Sequence, residues 1–360
     1  MDYVETLLII GNGFDLNLNV KSRFSDFFDK TCNNLLQKLY KYFQEYEYSS
    51  AIDLYDKNNE DINIWSFMMY IQRYCKNSDF RINQNDYNNW SDIESIISKS
   101  LLDKSILRSN IEYYVNEARI YFDQPKKFGE FQESHMVLNP YIFFALLSDD
   151  RKHTTYKYLL IELNKFENSF KKYLTKILPE DYNDKSMLLL NKIIDNESNH
   201  IDILNFNYTS VANAPCINKQ INVHGRLIDD EIIIGIDSNG IVDTQLYRFT
   251  KTYRNLHREK YFFRLPKKII KIIFYGHSLS KADFSYFYSI FDMYHLYDGD
   301  LSLYFLYSDY KNDKIENDNN HNKYVENIYN LINNYSNKSQ NDSNLLHRLL
   351  LEGRIIIKKV

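Results

Sequence analysis

Cysteine is scarce. The chain of 360 residues holds three, Cys32, Cys75 and Cys216, odd in number and far apart. That excludes a disulfide framework and a zinc cluster with paired spacing, and it fits a reducing, cytoplasmic compartment. Excess charge of one sign is also missing: the formal net charge is −4 and the isoelectric point about 6.2. No global field attracts polyanions, so a generic nucleic-acid binder is not expected. Long hydrophobic runs do not occur. "YIFFALL" at 141–147 is far too short to span a bilayer. No signal peptide is expected, because Asp2 and Glu5 precede an immediate glycine turn. Glycine (9) and proline (5) are few beside 32 Tyr and 23 Phe, a balance that reads as coding bias. No internal repeat appears, and the one biased stretch is an Asn/Asp-rich loop at 311–323.

What is present is enough apolar residue, 44%, to build a large core. Short runs rich in Ile, Leu and Phe end at Gly, Asn or Asp. They lie at Thr6–Ile10, 201–207, 220–225, 231–236, 268–276, 301–307 and 354–359. Near-continuous apolar runs of this kind predict parallel strands covered on both faces. Between 22 and 200 the period changes to three and four residues, which predicts helices over 22–46, 90–118 and 156–178, with loops at 76–89 and 123–140. Helices are also expected at 281–297 and 321–335. The fold class is therefore α/β: a Rossmann-like, mostly parallel sheet with helices on both faces. Its core is drawn from 1–21 and 200–360, and 22–199 forms a large helical insertion.

Four constellations could carry chemistry. The first strand runs into Gly11-Asn12-Gly13-Phe14-Asp15-Leu16, the opening of a dinucleotide-binding turn without its third glycine. A carboxylate at Asp15 repels a pyrophosphate unless it faces a ribose or a cation. The second is "LNFNYTS", with Asn205, Asn207, Tyr208 and Thr209 at a strand's carboxyl end, where open α/β sheets bind ligands. The third is His224-Gly225, a candidate general base with room beside it. The fourth is Gly276-His277-Ser278-Leu279-Ser280. Its last position departs from the nucleophile elbow, and neither His321 nor His347 is placed to serve Ser278. Gly276, His277 and Ser278 are read instead as pocket lining, with Asp283 in the first turn of the next helix.

These pieces in this order resemble the bacteriophage abortive infection family AbiH. The matching residues are Gly11 to Leu16, Ser22 to Phe27, Trp90-Ser91-Asp92-Ile93-Glu94, Asn205 to Thr209, Val223-His224-Gly225 and Gly276 to Leu279. The skeleton is also similar to a sirtuin-type NAD domain. That resemblance implies that Gly11, Asn12, Gly13 and Phe14 approach a dinucleotide. It implies that Asn207 holds the ribose or the attacking water, and that His224 is the general base. Gly225, Gly276, His277, Ser278 and Asp283 would line the cofactor site, Gly276 and Ser278 on the adenosine side. Asn12, Asp15 and Thr209 depart from the sirtuin pattern, and no four-cysteine zinc module exists, so protein deacylation is not implied.

What remains implied is a phage-defence protein that binds NAD or a related nucleotide and hydrolyses its nicotinamide–ribose bond. NAD is the expected substrate, with no metal. An acidic residue, Asp15, Asp92 or Glu94, would stabilise the ribosyl cation; the plainer reading of "WSDIE" is a helix cap. The alternatives are a nucleotide or phage-signal sensor without turnover, and a serine hydrolase built on Ser278. Expected partners are a small-molecule nucleotide, a phage trigger protein or other defence component, and a second copy of the chain. Neither membrane nor nucleic acid is expected.

Overall fold

The computed structural model describes residues 6–45, 47–74, 92–102, 155–194, 200–258, 264–308, 314–338 and 344–360. Six strands form one sheet: β1 (Thr6–Ile10), β2 (Ile201–Asn205), β3 (Ile217–Asn222), β4 (Lys271–Tyr275), β5 (Ser302–Tyr307) and β6 (Ile355–Lys359). All neighbours are parallel and the order is β3-β2-β1-β4-β5-β6. This is the Rossmann-like order, in which chain direction across the sheet reverses between β1 and β4. Every residue of β1 is buried, as befits the central strand of a sheet covered on both faces.

Successive side chains of a strand point to opposite faces, so each face has its own core. Leu7, Ile9, Ile272, Phe274, Leu303 and Phe305 pack on one side with α11 (Phe284–Met293), α12 (Lys314–Lys338) and α13 (Leu345–Leu351). Leu8, Ile10, Ile203, Ile273 and Tyr275 pack on the other, against Phe14 of α1 (Gly13–Asn17) and against Tyr182, Leu189, Leu190 and Ile193 of α8 (Tyr182–Ile193). A separate core is built from α2 (Phe24–Phe27), α3 (Asn33–Gln44), α4 (Tyr48–Lys57), α5 (Ile64–Tyr74), α6 (Ile93–Leu102) and α7 (Thr155–Ile177). The two short helices α9 (Thr244–Tyr247) and α10 (Lys251–Leu256) follow β3.

Three expectations are corrected. The run 231–236 is not a strand of the sheet. Its Ile232, Ile234 and Ile236 are buried in the helical core instead. Its backbone is satisfied elsewhere: the Ile234 amide donates to Glu167 Oε1 at 2.7 Å and the Ile233 amide to the His224 carbonyl at 2.7 Å. The chain around 314–323 is helix, not loop, because nothing from Lys314 to Lys338 is Pro or Gly. Ile328, Leu331, Ile332 and Tyr335 then anchor it on the sheet. β3 begins three residues before the predicted run, since an edge strand here tolerates polar Asn218, Lys219 and Gln220. His224 consequently lies just past its end. The loops expected at 76–89 and 123–140, and the helix expected beyond 102, lie outside the described residues. No described helix is long and apolar enough to cross a membrane.

Candidate functional site at the sheet's carboxyl rim

The turns that follow β1 and β4 lie against each other. The Gly11 amide donates to the Tyr275 carbonyl at 3.1 Å, and the Gly13 amide to the Gly276 carbonyl at 2.7 Å. A Cβ on Gly11 would stand 2.6 Å from His277 Cα. One on Gly276, which sits at φ +66°, would stand 2.5 Å from the Phe14 nitrogen. Both glycines are therefore required by the approach of two backbones, each filling the space that a side chain would take.

The β2 turn is fastened to this floor by amides. Asn207 donates from Nδ2 to the Gly11 carbonyl at 3.0 Å, and its own backbone amide donates to Asn205 Oδ1 at 2.8 Å. Asn205 Nδ2 donates to the Thr209 carbonyl at 2.7 Å, and Asn222 Nδ2 donates to the carbonyls of Asn207 and Thr209, both at 2.8 Å. Asp15 is part of the same frame. It is 2% exposed and accepts hydrogen bonds from Tyr182 Oη at 2.7 Å and from Thr209 Oγ1 at 2.8 and 3.0 Å. Burial pushes its carboxyl up to about 6, although both hydroxyls oppose the shift.

Over the rim gathers a charged cluster. Lys251, at the start of α10 and 2% exposed, places Nζ 2.8 Å from Glu94 Oε2 and 2.8 Å from Asp283 Oδ1. His224 Nε2 lies 3.4 Å from Asp283 Oδ1, and His277 Nε2 lies 3.5 Å from Asp283 Oδ2. The Leu279 amide donates to His277 Nδ1 at 2.9 Å, which leaves the proton of that ring on Nε2, toward Asp283. Phe206 sits edge-on to both imidazoles, with ring centroids 5.4 Å from His224 and 4.6 Å from His277. Burial, then the Lys251 charge, lowers His224 to about 4, so it is neutral at physiological pH; its Nδ1 is buried with no partner among the described residues. Burial also lifts Glu94 to about 7 against the pull of Lys251. Burial alone would raise Asp283 too. The ammonium and the hydrogen bonds from the two histidines more than offset that and hold it well below the usual carboxylate range. Lys251 itself is held charged above its ordinary value, because the two carboxylates outweigh its loss of solvent.

The cleft above this cluster has a volume of about 560 Å³ and is lined by all four constellations: Gly11, Asn12, Gly13 and Asp15, then Asn207, His224 and Gly276 to Ser278. Phe14, expected at the dinucleotide, is instead fully buried in the core against Tyr275. Asp92 and Glu94 of the "WSDIE" stretch line it as well. Asp92 is a helix cap, accepting from the Ser95 amide at 3.0 Å, but Glu94 is not in a capping box; it reaches Lys251. Ser278 is exposed and bonds to neither histidine among the described residues. Gly225, at φ +90°, abuts the Glu231 carbonyl and serves the turn after His224. Sequence reasoning missed Lys251 and Tyr182. A single lysine two residues after Phe249 carries no signal of burial, since lysine almost always stays in water. Among the described residues no group of His, Cys, Asp or Glu could hold a metal ion; here the Lys251 ammonium stands between the carboxylates.

A family model described as Bacteriophage abortive infection AbiH matches residues 7–305. The chain belongs to that family. No curated protein and no solved structure matches it.

Proposed function

We propose that the chain acts in phage abortive infection, as the description of its family says, and, from the geometry of the rim, that its cleft binds NAD or a related nucleotide and hydrolyses the bond between nicotinamide and ribose. The observation that carries this reading is the convergence of Asn207, His224 and Asp283 with the Gly11 turn at the reversal point of a Rossmann-like sheet. Nicotinamide leaves as a neutral base from a cationic ring and needs no acid. The demand falls on stabilising a ribosyl cation and on placing water. One ammonium facing two carboxylates leaves an excess of negative charge when Glu94 is ionised, which favours such a cation in a water-poor site. Asn207 has its Nδ2 held by Gly11, so its oxygen is fixed for a hydroxyl or a water. A neutral imidazole at His224 accepts the water's proton as the new C–O bond forms; a weak base suffices because the ribosyl cation is so electrophilic. Asp15, with both oxygens occupied, serves the frame and not the ribose.

Nicotinamide release from NAD by the purified chain tests the reading. Wild type should turn over, and His224→Ala and Asn207→Ala should each lower kcat by about a hundredfold or more while circular dichroism shows the fold retained, Asn207→Ala losing about 1–3 kcal/mol of stability with its bond to Gly11. Binding of NAD without release would leave the cleft a sensor, and unchanged rates in both variants would remove their assigned roles.

A further inference from the structure

We infer that the mouth of the cleft is a phosphate subsite formed by side chains, Arg23 with the Asn12 amide, and not by the glycine turn, so that the ligand must carry a phosphate. The inference rests on the nucleotide reading above and names its substrate class more narrowly. The glycine turn is otherwise engaged: the space beside Gly11 is filled by His277, and the Gly13 amide is bonded to the Gly276 carbonyl. The helix behind it, α1, has only five residues, too short to offer a strong positive end.

The charges lining the cleft are unevenly matched. Lys251 is held between two carboxylates. Asp15 is taken by Thr209 and Tyr182, and Asp92 by the Ser95 amide. Arg23 is different: it lines the cleft, is exposed, and its guanidinium forms no ion pair among the described residues. The nearby Asp26 carboxylate accepts from the Arg23 backbone amide at 3.4 Å. Asn12 lines the same cleft and is exposed; its Oδ1 accepts from Ser22 Oγ, of the residue just before Arg23, so the side chain offers N–H groups to a ligand. An unpaired guanidinium beside an amide donor is suited to an anionic oxygen, and bidentate Arg–phosphate pairing is strong and directional. The cleft is thus polarised, with an anion taken at the mouth and a neutral or cationic ribosyl end at Asp283 and Glu94.

Isothermal titration with ADP-ribose, NAD and nicotinamide riboside tests this. ADP-ribose should bind wild type at least about tenfold more tightly than the riboside, and Arg23→Ala should weaken ADP-ribose by about tenfold or more. Arg23→Lys should recover part of the loss. The wild-type affinity should fall with added salt more steeply than that of Arg23→Ala. Because Arg23 is exposed, its removal should leave the melting temperature unchanged, which confirms that the variant is folded. Equal affinity for riboside and nucleotide, wild-type affinity in Arg23→Ala, or no binding of ADP-ribose at all would overturn the subsite. Tight, Arg23-dependent binding without nicotinamide release would sustain it and refute hydrolysis instead.

Discussion

At the scale of single residues, what distinguishes the rim is how each buried polar group finds a partner. Asp15 is the clearest case. Its carboxylate accepts from Thr209 and Tyr182, and without it two buried hydroxyls lose their acceptor. An orphaned buried donor costs about 1–3 kcal/mol. Asp15→Ala should therefore lower unfolding free energy by about 2–4 kcal/mol in urea denaturation. A stable but inactive Asp15→Ala would return this carboxylate to the reaction. Lys251 shows the converse limit on reading a sequence. Nothing in "RFTKTYRN" marks it, because its burial follows from where Glu94 and Asp283 are brought by distant segments. His224 and Asn207 were legible, since both follow apolar runs and precede a turn.

At the scale of elements, the two glycine turns are matched surfaces. Gly276 combines φ +66° with a backbone nitrogen 2.5 Å from any Cβ, whereas Gly240, at φ +76°, has nothing within 4 Å. The comparison separates strain from crowding. Gly240→Ala should cost about 1–2 kcal/mol, the left-handed penalty alone. Gly276→Ala should cost about 3 kcal/mol or more, because Phe14 or the β4 turn must also move. Equal melting temperatures for the two variants would show that the turns are not pressed together. Strands β1, β2, β4 and β5 were readable because a strand buried on both faces is an apolar run closed within two residues by Gly, Asn or Asp, and β6 because three isoleucines follow Gly353. The run 231–236 has the same look for another reason: its isoleucines are buried in a different core. Apolar alternation reports burial and does not say which body does the burying.

At the scale of the whole molecule, the charged cluster is assembled from both bodies. Glu94 comes from the helical core, Asp283 and the two histidines from the sheet's rim, and Lys251 from the segment between them. No stretch of sequence contains this arrangement, which is why four motifs could be seen and their shared cation could not. One pH dependence belongs to this scale. Burial raises Glu94 to about 7, so the negative charge assigned to the ribosyl cation is absent well below that pH and complete above it. His224, lowered to about 4, stays neutral throughout. Nicotinamide release should accordingly rise through about pH 7 to a plateau, and Glu94→Gln should flatten the profile at a reduced rate. A wild-type profile without an inflection near 7 would detach Glu94 from the chemistry.

The segment 231–256 has a mechanical meaning. It is riveted to the helical body by Glu167, which accepts from Arg254 Nη2 at 2.7 Å and from the Ile234 amide, and by Glu94 on Lys251. It is riveted to α11 by Asp237, which accepts from Ser285 Oγ at 2.6 Å, and by Lys251 on Asp283. Prising the helices off the sheet would strand several buried charges together, each pair costing about 3–5 kcal/mol when broken. The back of the cleft is thus tied on both sides through one segment, while the exposed wall of Arg23, Asn12 and Ser278 stays open to solvent.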